Sequence, residues 1–229
     1  MSGLLVLIII IFISSIPVII TYIWFRAAKY KFTFIQFLFV LLAGAAAFFP
    51  ALILQDILNF SFSSRGRMEL FYHVFFRIAF TEELSRMLML LLLFFISGFF
   101  KNDSKESIKW TDVKKGTAAG FIAGLGFALL ENAVYAASDT SVLLLRAVTA
   151  APLHAACGSR VGAASVMLRS NPIQAFFRIL AATAIHGIYN FMAALPGFPS
   201  IMAILIALTA LGSSILSIRG GWEKPEVNP

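Results

Sequence analysis

The feature that most constrains this chain is a succession of long apolar runs separated by short polar connections. About 20 consecutive apolar residues form a helix long enough to cross the hydrocarbon core of a bilayer, and several of the runs reach that length. The composition agrees, because 60% of the residues are hydrophobic and only 13% are charged. We therefore predict an all-α polytopic membrane protein, with about seven transmembrane helices around a polar intramembrane cavity.

The apolar runs divide one integral-membrane domain, residues 1–229, into predicted spans. These are residues 3–25, 34–54, 72–100, 116–137, 141–168, 172–195 and 200–218, followed by a polar tail at 219–229. The first span lacks a basic leading segment and a small-residue cleavage site, so we expect it to be a retained anchor. The region 69–100 is longer than one perpendicular crossing needs, and the sequence leaves open whether it forms one helix or two.

Basic residues indicate how the spans are oriented in the membrane. Arg26, Lys29 and Lys31 follow the first span, and five lysines lie within residues 101–115. Cytoplasmic connections carry an excess of Lys and Arg, so we predict a multi-pass protein of the cell membrane with its N-terminus outside and its C-terminus in the cytoplasm. The formal net charge of +7 then reports orientation, and no nucleic-acid partner is expected.

Two adjacent carboxylic acids, Glu82 and Glu83, lie inside the third apolar run. An acidic side chain near the bilayer centre costs about 2.5–3.5 kcal/mol on insertion scales, so packing alone does not explain the pair. Arg86 follows one helical turn later and can reach both carboxylates. Carboxylates that share a proton suit general acid–base chemistry, although a cluster that only locks helices together has the same sequence pattern.

Further polar residues lie inside the other predicted spans, on three more helices. They are Glu131, His154, His186 and Asn190. Each of them alone could be an interhelical hydrogen-bonding group, and Phe127, one turn before Glu131, could be an ordinary core residue. Together with the acid pair and Arg86, they predict one cavity that water reaches and in which protons move.

Two chemistries can use these residues. In the first, a carboxylate takes a proton from a water that attacks an amide carbonyl, while His186 and Asn190, four residues apart on one helical face, stabilise the oxyanion. In the second, a divalent transition metal activates the water, and its candidate ligands are Glu82, Glu131, His154 and His186. The sequence has no HExxH or paired ExxH motif, so we rank the reaction without a cofactor first and the metal second.

Three ordered motifs resemble those of PrsW-type intramembrane proteases, a group similar to the CAAX prenyl proteases and bacteriocin-processing enzymes. The motifs are Glu82-Glu83-x-x-Arg86, Phe127-x-x-x-Glu131-Asn132 and His186-x-x-x-Asn190. Two residues depart from the pattern: Arg86 stands where PrsW-type proteins often have lysine, and Glu131 where CAAX proteases have a second water-activating histidine. His154 lies outside the shared motifs and is a candidate for the missing imidazole.

The resemblance implies a glutamate-dependent intramembrane endopeptidase that acts on a membrane-bound protein. By motif, Glu82 would be the base that activates water, and Glu83 and Arg86 would shape its pKa. His186 and Asn190 would form the oxyanion site. The implied substrate is a single-span protein, such as an anti-sigma factor, cut near its extracytoplasmic membrane boundary.

Two interpretations from other functional classes remain open. A proton- or ion-coupled transporter could use the same acids and histidines as a relay, although the sequence lacks the internal repeats typical of transporters. A non-catalytic membrane interaction or immunity-type protein could use them to bind a partner. The lipid bilayer and a membrane protein substrate are the expected partners. Neither the identity of the substrate nor the oligomeric state follows from the sequence.

Overall fold

The computed structural model describes residues 3–30, 32–60, 66–97, 110–138, 143–195 and 197–219. These residues form helices and short connections, and none of them lies in a β-strand. Four helical segments are long and apolar enough to cross a membrane, namely Ile8–Ala27, Phe34–Ile57, Asp112–Ala136 and Phe198–Arg219. The prediction of a helical, multi-pass membrane protein is confirmed, and the total of seven spans stays a prediction.

Some sequence predictions fall outside the described residues. They concern the polar tail at 220–229, the last residues of the third predicted span at 98–100, and most of the lysine-rich connection.

The first two predicted spans correspond to three helices. They are α1 (Gly3–Ala27), α2 (Phe34–Ala46) and α3 (Phe48–Ile57). The break between α2 and α3 falls at Ala47. Pro50 accounts for it, because proline has no N–H to donate to the carbonyl of Ala46.

The third predicted span is one continuous helical run from Arg67 to Ile96. It consists of α4 (Arg67–Tyr72), a π-helical segment (His73–Phe80) and α5 (Thr81–Ile96). The hydroxyl of Thr81 donates to the carbonyls of Arg77 and Ile78, at 2.6 and 2.9 Å, where the wider turns end. The acid pair follows immediately, so the π-helical segment sets the direction in which both carboxylates project.

The described residues from 110 onward form five helices. They are α6 (Trp110–Ser138), α7 (Leu143–Val148), α8 (Ala150–Met167), α9 (Pro172–Ala193) and α10 (Phe198–Arg219). The predicted fifth span therefore contains two helices, α7 and α8. Thr149 separates them with φ −123° and ψ −59°, and Pro152 cannot donate to the carbonyl of Val148 across the break.

Helix α6 lies at the centre and packs mainly against α8 and α2. Glycines at four-residue spacing bring α6 and α8 together: a Cβ at Gly120 would overlap the carbonyl oxygen of Gly158, and one at Gly124 would overlap that of His154. Gly44 faces the backbone of Ala123 in the same way across α2 and α6. Small residues thus allow the backbones to touch, as in membrane helix pairs, and this contact holds the α8 histidine close to α6.

The outer helices expose large apolar side chains. Phe12 on α1, Ile35 on α2, Phe176 on α9 and Leu216 on α10 are each more than half exposed. Such a surface is suited to lipid rather than to water. The polar residues, by contrast, are collected in the interior.

Candidate active site

The structure brings together the predicted polar residues of four helices. Glu82, Glu83 and Arg86 lie at the start of α5, Glu131 on α6, His154 on α8 and His186 on α9. All six side chains are buried, and Glu83 and Arg86 have no exposed surface. Buried charges are costly unless they are paired. The contacts among these six side chains show how that cost is met.

Arg86 is the centre of the cluster. Its Nη1 donates to Oε2 of Glu83 at 2.7 Å, and its Nη2 donates to Nδ1 of His154 at 3.1 Å. The guanidinium carbon lies 4.6 Å from the centre of the Phe127 ring, and its Nη2 is 3.7 Å from Oε2 of Glu82. The single arginine therefore reaches both carboxylates, as the helical spacing predicted.

Glu83 is held on both oxygens. Besides accepting from Arg86, it accepts from Nδ1 of His186 at 2.8 Å through its other oxygen. Glu83 can only accept when ionised, so Nδ1 of His186 is the donor in this pair, and a neutral imidazole with its proton there has its lone pair on Nε2. That nitrogen faces Oε2 of Glu82 at 3.7 Å. Glu83 thus orients the imidazole and leaves one nitrogen free for chemistry.

Glu82 has different surroundings from those of its neighbour. Its Oε1 accepts from the side-chain amide of Gln55 at 3.2 Å, but its buried Oε2 has no hydrogen-bond partner among the described residues. Buried polar atoms are nearly always hydrogen-bonded, so an unpartnered carboxylate oxygen needs an explanation, such as a bound ion or a reacting group. Glu82 lines a cavity of about 220 Å³ together with Phe127 and Glu131.

Glu131 is joined to His154 and to an arginine that the sequence analysis did not single out. Its Oε2 accepts from Nε2 of His154 and from Nη2 of Arg146, both at 2.7 Å. Arg146 also donates to the side-chain oxygen of Asn132 at 2.9 Å and lies 3.8 Å from the ring of Tyr135. Arg146 therefore fixes Glu131 from α7.

Two residues of the site, Arg146 and Gln55, were missed from the sequence. A signal existed for Arg146, since a charged residue within an apolar run suggests function. The sequence predicted residues 141–168 as one helix. In the structure this region breaks at Thr149, and Arg146, which precedes the break, is directed toward α6. Nothing in the sequence indicated a functional role for Gln55. It follows the second predicted span directly and has the composition of the polar connection after it.

Two further predicted residues have different positions. Phe127 contacts the site directly, with its ring centre 5.3 Å from that of His154. Asn190 lies on α9 one turn after His186 and is partly buried, and its side chain makes no hydrogen bond to the other described residues. The structure therefore does not show Asn190 and His186 converging on one atom, and the predicted oxyanion pair stays a prediction.

The donor set is compatible with a metal ion. Glu82, His154 and His186 each offer one ligand atom, and these atoms lie within 4.8 Å of one another. Two histidines and a glutamate are a usual ligand set for catalytic zinc, and a histidine ligand usually donates its other N–H to a carboxylate, as His186 does to Glu83. His154 has both ring nitrogens hydrogen-bonded, so it would have to release Arg86 or Glu131 to act as a ligand.

Comparison with known proteins identifies the family. A family model described as PrsW family intramembrane metalloprotease matches residues 33–212. No curated protein and no solved structure is significantly similar to the chain. The word metalloprotease and the Glu82, His154 and His186 group favour the metal alternative over the reaction without a cofactor that the sequence analysis ranked first. The match covers well over half of the chain and every residue of the cluster, so this protein belongs to the PrsW family of intramembrane proteases.

Proposed function

We propose that this protein is an intramembrane endopeptidase whose reacting water is activated beside Oε2 of Glu82. The observation that carries the proposal is this carboxylate oxygen, which has no hydrogen bond to a described residue, lies 3.7 Å from a nitrogen of His186 and from one of Arg86, and belongs to a residue that lines a cavity. Hydrolysis needs a water held next to a group that can take its proton or raise its acidity. The family supports a peptidase, and the residue roles below are our assignment.

Glu82, His154 and His186 would hold a divalent transition metal. Such an ion, when bound, increases the acidity of water and polarises a carbonyl oxygen. Glu83 acts as a positioning residue, because it fixes the His186 ring through Nδ1 and keeps Nε2 available. Arg86 balances the charge of Glu83 within the apolar interior.

Glu131 is our candidate proton acceptor. It lines the same cavity as Glu82, and its Oε2 is oriented by His154 and Arg146. In the hydrolysis, the water oxygen bonds to the amide carbonyl carbon and its proton passes to Glu131. Glu131 then returns that proton to the leaving amine as the C–N bond breaks, so the atoms of one water are divided between the two products.

The substrate would enter from the lipid side of the cavity. Leu52 on α3 and Val134 and Tyr135 on α6 line the cavity and are each about half exposed, at 46%, 50% and 46%. A substrate segment that leaves the bilayer between α3 and α6 would therefore meet Glu82 without crossing the core of the protein. A single-span membrane protein, with an anti-sigma factor as one case, is the substrate class that we assign to this route.

A reaction without a metal is the alternative, and one observation favours it. Both nitrogens of His154 already have partners, so the cluster as it stands offers only Glu82 and His186 without rearrangement. In that case Oε2 of Glu82 itself takes the proton from water. This is also the role that the wider likeness to CAAX proteases suggests for this glutamate.

The two mechanisms are separated by metal analysis of purified protein together with cleavage of labelled single-span peptides in liposomes. We expect about one transition metal ion per chain, lost with activity on chelation and in His186→Ala. His73→Ala is the matched control, because His73 bonds to Arg77 outside the cluster. Full activity without stoichiometric metal would leave Glu82 as the sole activating group. Ion flux without any peptide cleavage would instead support a transporter.

A further inference from the structure

A second, open cavity lies between α8 and α9, away from the candidate active site. Its volume is about 430 Å³, and it is lined by Arg160, Gln174, Phe177, Arg178 and Ala181. Arg160 follows His154 by six residues and Arg178 precedes His186 by eight. At about 1.5 Å per residue, the cavity is displaced from the histidines by about 9–12 Å toward the connection between α8 and α9.

The two arginines have no acidic partner within the described part of the chain. Arg160 is held by neutral groups: its Nη1 donates to the carbonyl of Ala156 and to Ser214, and its Nη2 donates to Ser213 at 2.7 Å. Arg178 makes no hydrogen bond or ion pair to any described residue. Two unneutralised guanidinium groups in one cavity repel each other, and an anion would relieve the repulsion.

Enough donors remain to bind a phosphate group. A guanidinium has five N–H donors. Arg160 uses only three of them in these bonds, which leaves its Nε–H and one hydrogen on Nη2. Arg178 has all of its donors available, and the amide of Gln174 lines the same cavity. Planar guanidinium groups bind phosphate oxygens through paired hydrogen bonds.

The surroundings of the cavity indicate where the anion comes from. On α9, Ile173, Phe176, Phe177 and Leu180 are each about half exposed or more, so the helix presents an apolar face next to the arginines. Arg160 and Arg178 lie within about two helical turns of the α8–α9 connection. With the fifth and sixth spans placed as the sequence predicts, both arginines would lie at the boundary between headgroups and acyl chains. Basic pockets between membrane helices at this depth bind anionic lipid headgroups.

We propose that this cavity binds the phosphate-bearing headgroup of an anionic phospholipid, with Arg160 and Arg178 on the phosphate and Phe177 against the acyl chains. A free phosphate ion offers the same oxygen atoms but has no apolar part to pack against the apolar face of α9. The proposal does not depend on the mechanism of peptide cleavage.

The test is native mass spectrometry of the full chain in neutral detergent, titrated with phosphatidylglycerol or with phosphatidylcholine of the same acyl chains. We expect phosphatidylglycerol to bind the wild type at least about fivefold more tightly, since each Arg near the headgroups contributes about 1 kcal/mol. Arg178→Gln should remove that preference. This arginine has no hydrogen bond or ion pair to lose among the described residues, so the variant should fold normally. Arg26→Gln removes an exposed arginine of α1 outside the cavity and is the matched control.

Three outcomes would overturn the proposal. The first is equal binding of the two lipids by the wild type. The second is the same loss in Arg26→Gln as in Arg178→Gln, which would indicate general attraction to surface charge. The third is displacement of phosphatidylglycerol by inorganic phosphate at about 1 mM, which would show that the arginines take a free anion and overturn the lipid assignment.

Discussion

At the residue scale, Glu82 and Glu83 are neighbours in the chain but differ in the hydrogen bonds that their carboxylates accept. Glu83 accepts from Arg86 and His186 and has no exposed surface. Among the described residues, Glu82 accepts one hydrogen bond, from Gln55, and its Oε2 has longer contacts of 3.7 Å with Arg86 and His186 but no hydrogen bond. The first environment suits a residue that holds the cluster together, and the second suits one that takes part in a reaction. Substitution by glutamine should separate the two roles.

Glu82→Gln should lower peptide cleavage by about 10²–10⁴-fold, because its carboxylate is needed to activate water. Its melting temperature in detergent should fall less than that of Glu83→Gln, since Oε2 of Glu82 has no hydrogen bond to a described residue and lies 3.7 Å from Arg86, against 2.7 Å for Glu83. Glu69→Gln, on α4 and outside the cluster, is the control and should change neither quantity. A Glu82→Gln protein that cleaves at the wild-type rate would contradict the assignment.

Glu83→Gln should also lose activity, but mainly by destabilising the fold. The neutral amide leaves Arg86 without its closest counter-charge in a fully buried position, and breaking a buried pair in this way costs roughly 3–5 kcal/mol. We expect the melting temperature of Glu83→Gln to fall clearly below that of Glu82→Gln measured under the same conditions. Equal stability of the two variants would mean that the two glutamates do not differ as the contacts indicate.

At the scale of helices, the short helix α7 is connected to the site through Arg146. This residue bonds to Glu131 and Asn132 and stacks on Tyr135, and its side chain remains 18% exposed. An ion pair that solvent still reaches contributes less to stability than a fully buried one. The effect of Arg146 on Glu131 should therefore be visible mainly in the rate.

Arg146→Gln should lower kcat about tenfold with little change in KM, because one charge-assisted hydrogen bond that orients Glu131 is lost. Arg146→Lys keeps the positive charge and should restore part of the rate, whereas a purely structural role would give no such rescue. Arg219→Gln, at the end of α10, is the control. An unchanged kcat in Arg146→Gln would rule out Arg146 as a positioning residue.

The contact of α6 with α8 depends on glycine. A Cβ at Gly120 would overlap the carbonyl of Gly158, while a Cβ at Gly212 on α10 would meet nothing within 4 Å. Gly120→Ala should therefore push the helices apart and cost about 1–3 kcal/mol, whereas Gly212→Ala should be neutral or slightly stabilising. Thermal unfolding in detergent distinguishes the two. Equal melting temperatures would show that the close approach is not needed for stability.

At the scale of the whole molecule, the basic connections predict that the cavity lined by Glu82 and Glu131 opens on the outer side of the membrane. Tyr135 lines the cavity near the end of α6, and Arg169 lies in the connection between α8 and α9. In a Cys157→Ala background, Tyr135→Cys should react with a membrane-impermeant thiol reagent added to intact cells, and Arg169→Cys should react only after permeabilisation. Labelling of Arg169→Cys in intact cells, with Tyr135→Cys reacting only after permeabilisation, would show that the orientation is the opposite of the predicted one.

The sequence alone determined the helical membrane class and six polar residues that the structure brings together, namely Glu82, Glu83, Arg86, Glu131, His154 and His186. Apolar runs of this length leave a helix as the form that satisfies every backbone group in lipid. Intramembrane acids and histidines are so costly that their positions along the chain are enough to mark a site. Gly116, Gly120 and Gly124 recur every four residues in the sequence, a pattern typical of close helix contacts, and α8 packs there.

Only the tertiary structure decided which contacts each of the polar residues makes. Glu82 and Glu83 are equivalent in a sequence pattern, and the difference between them arises from His186 and Gln55, which come from distant helices. Arg146 reaches Glu131 because the chain breaks at Thr149, a local geometry that helical periodicity does not encode. Hydrogen bonds between side chains depend on the orientation of whole helices, and that orientation follows from packing rather than from spacing along one helix.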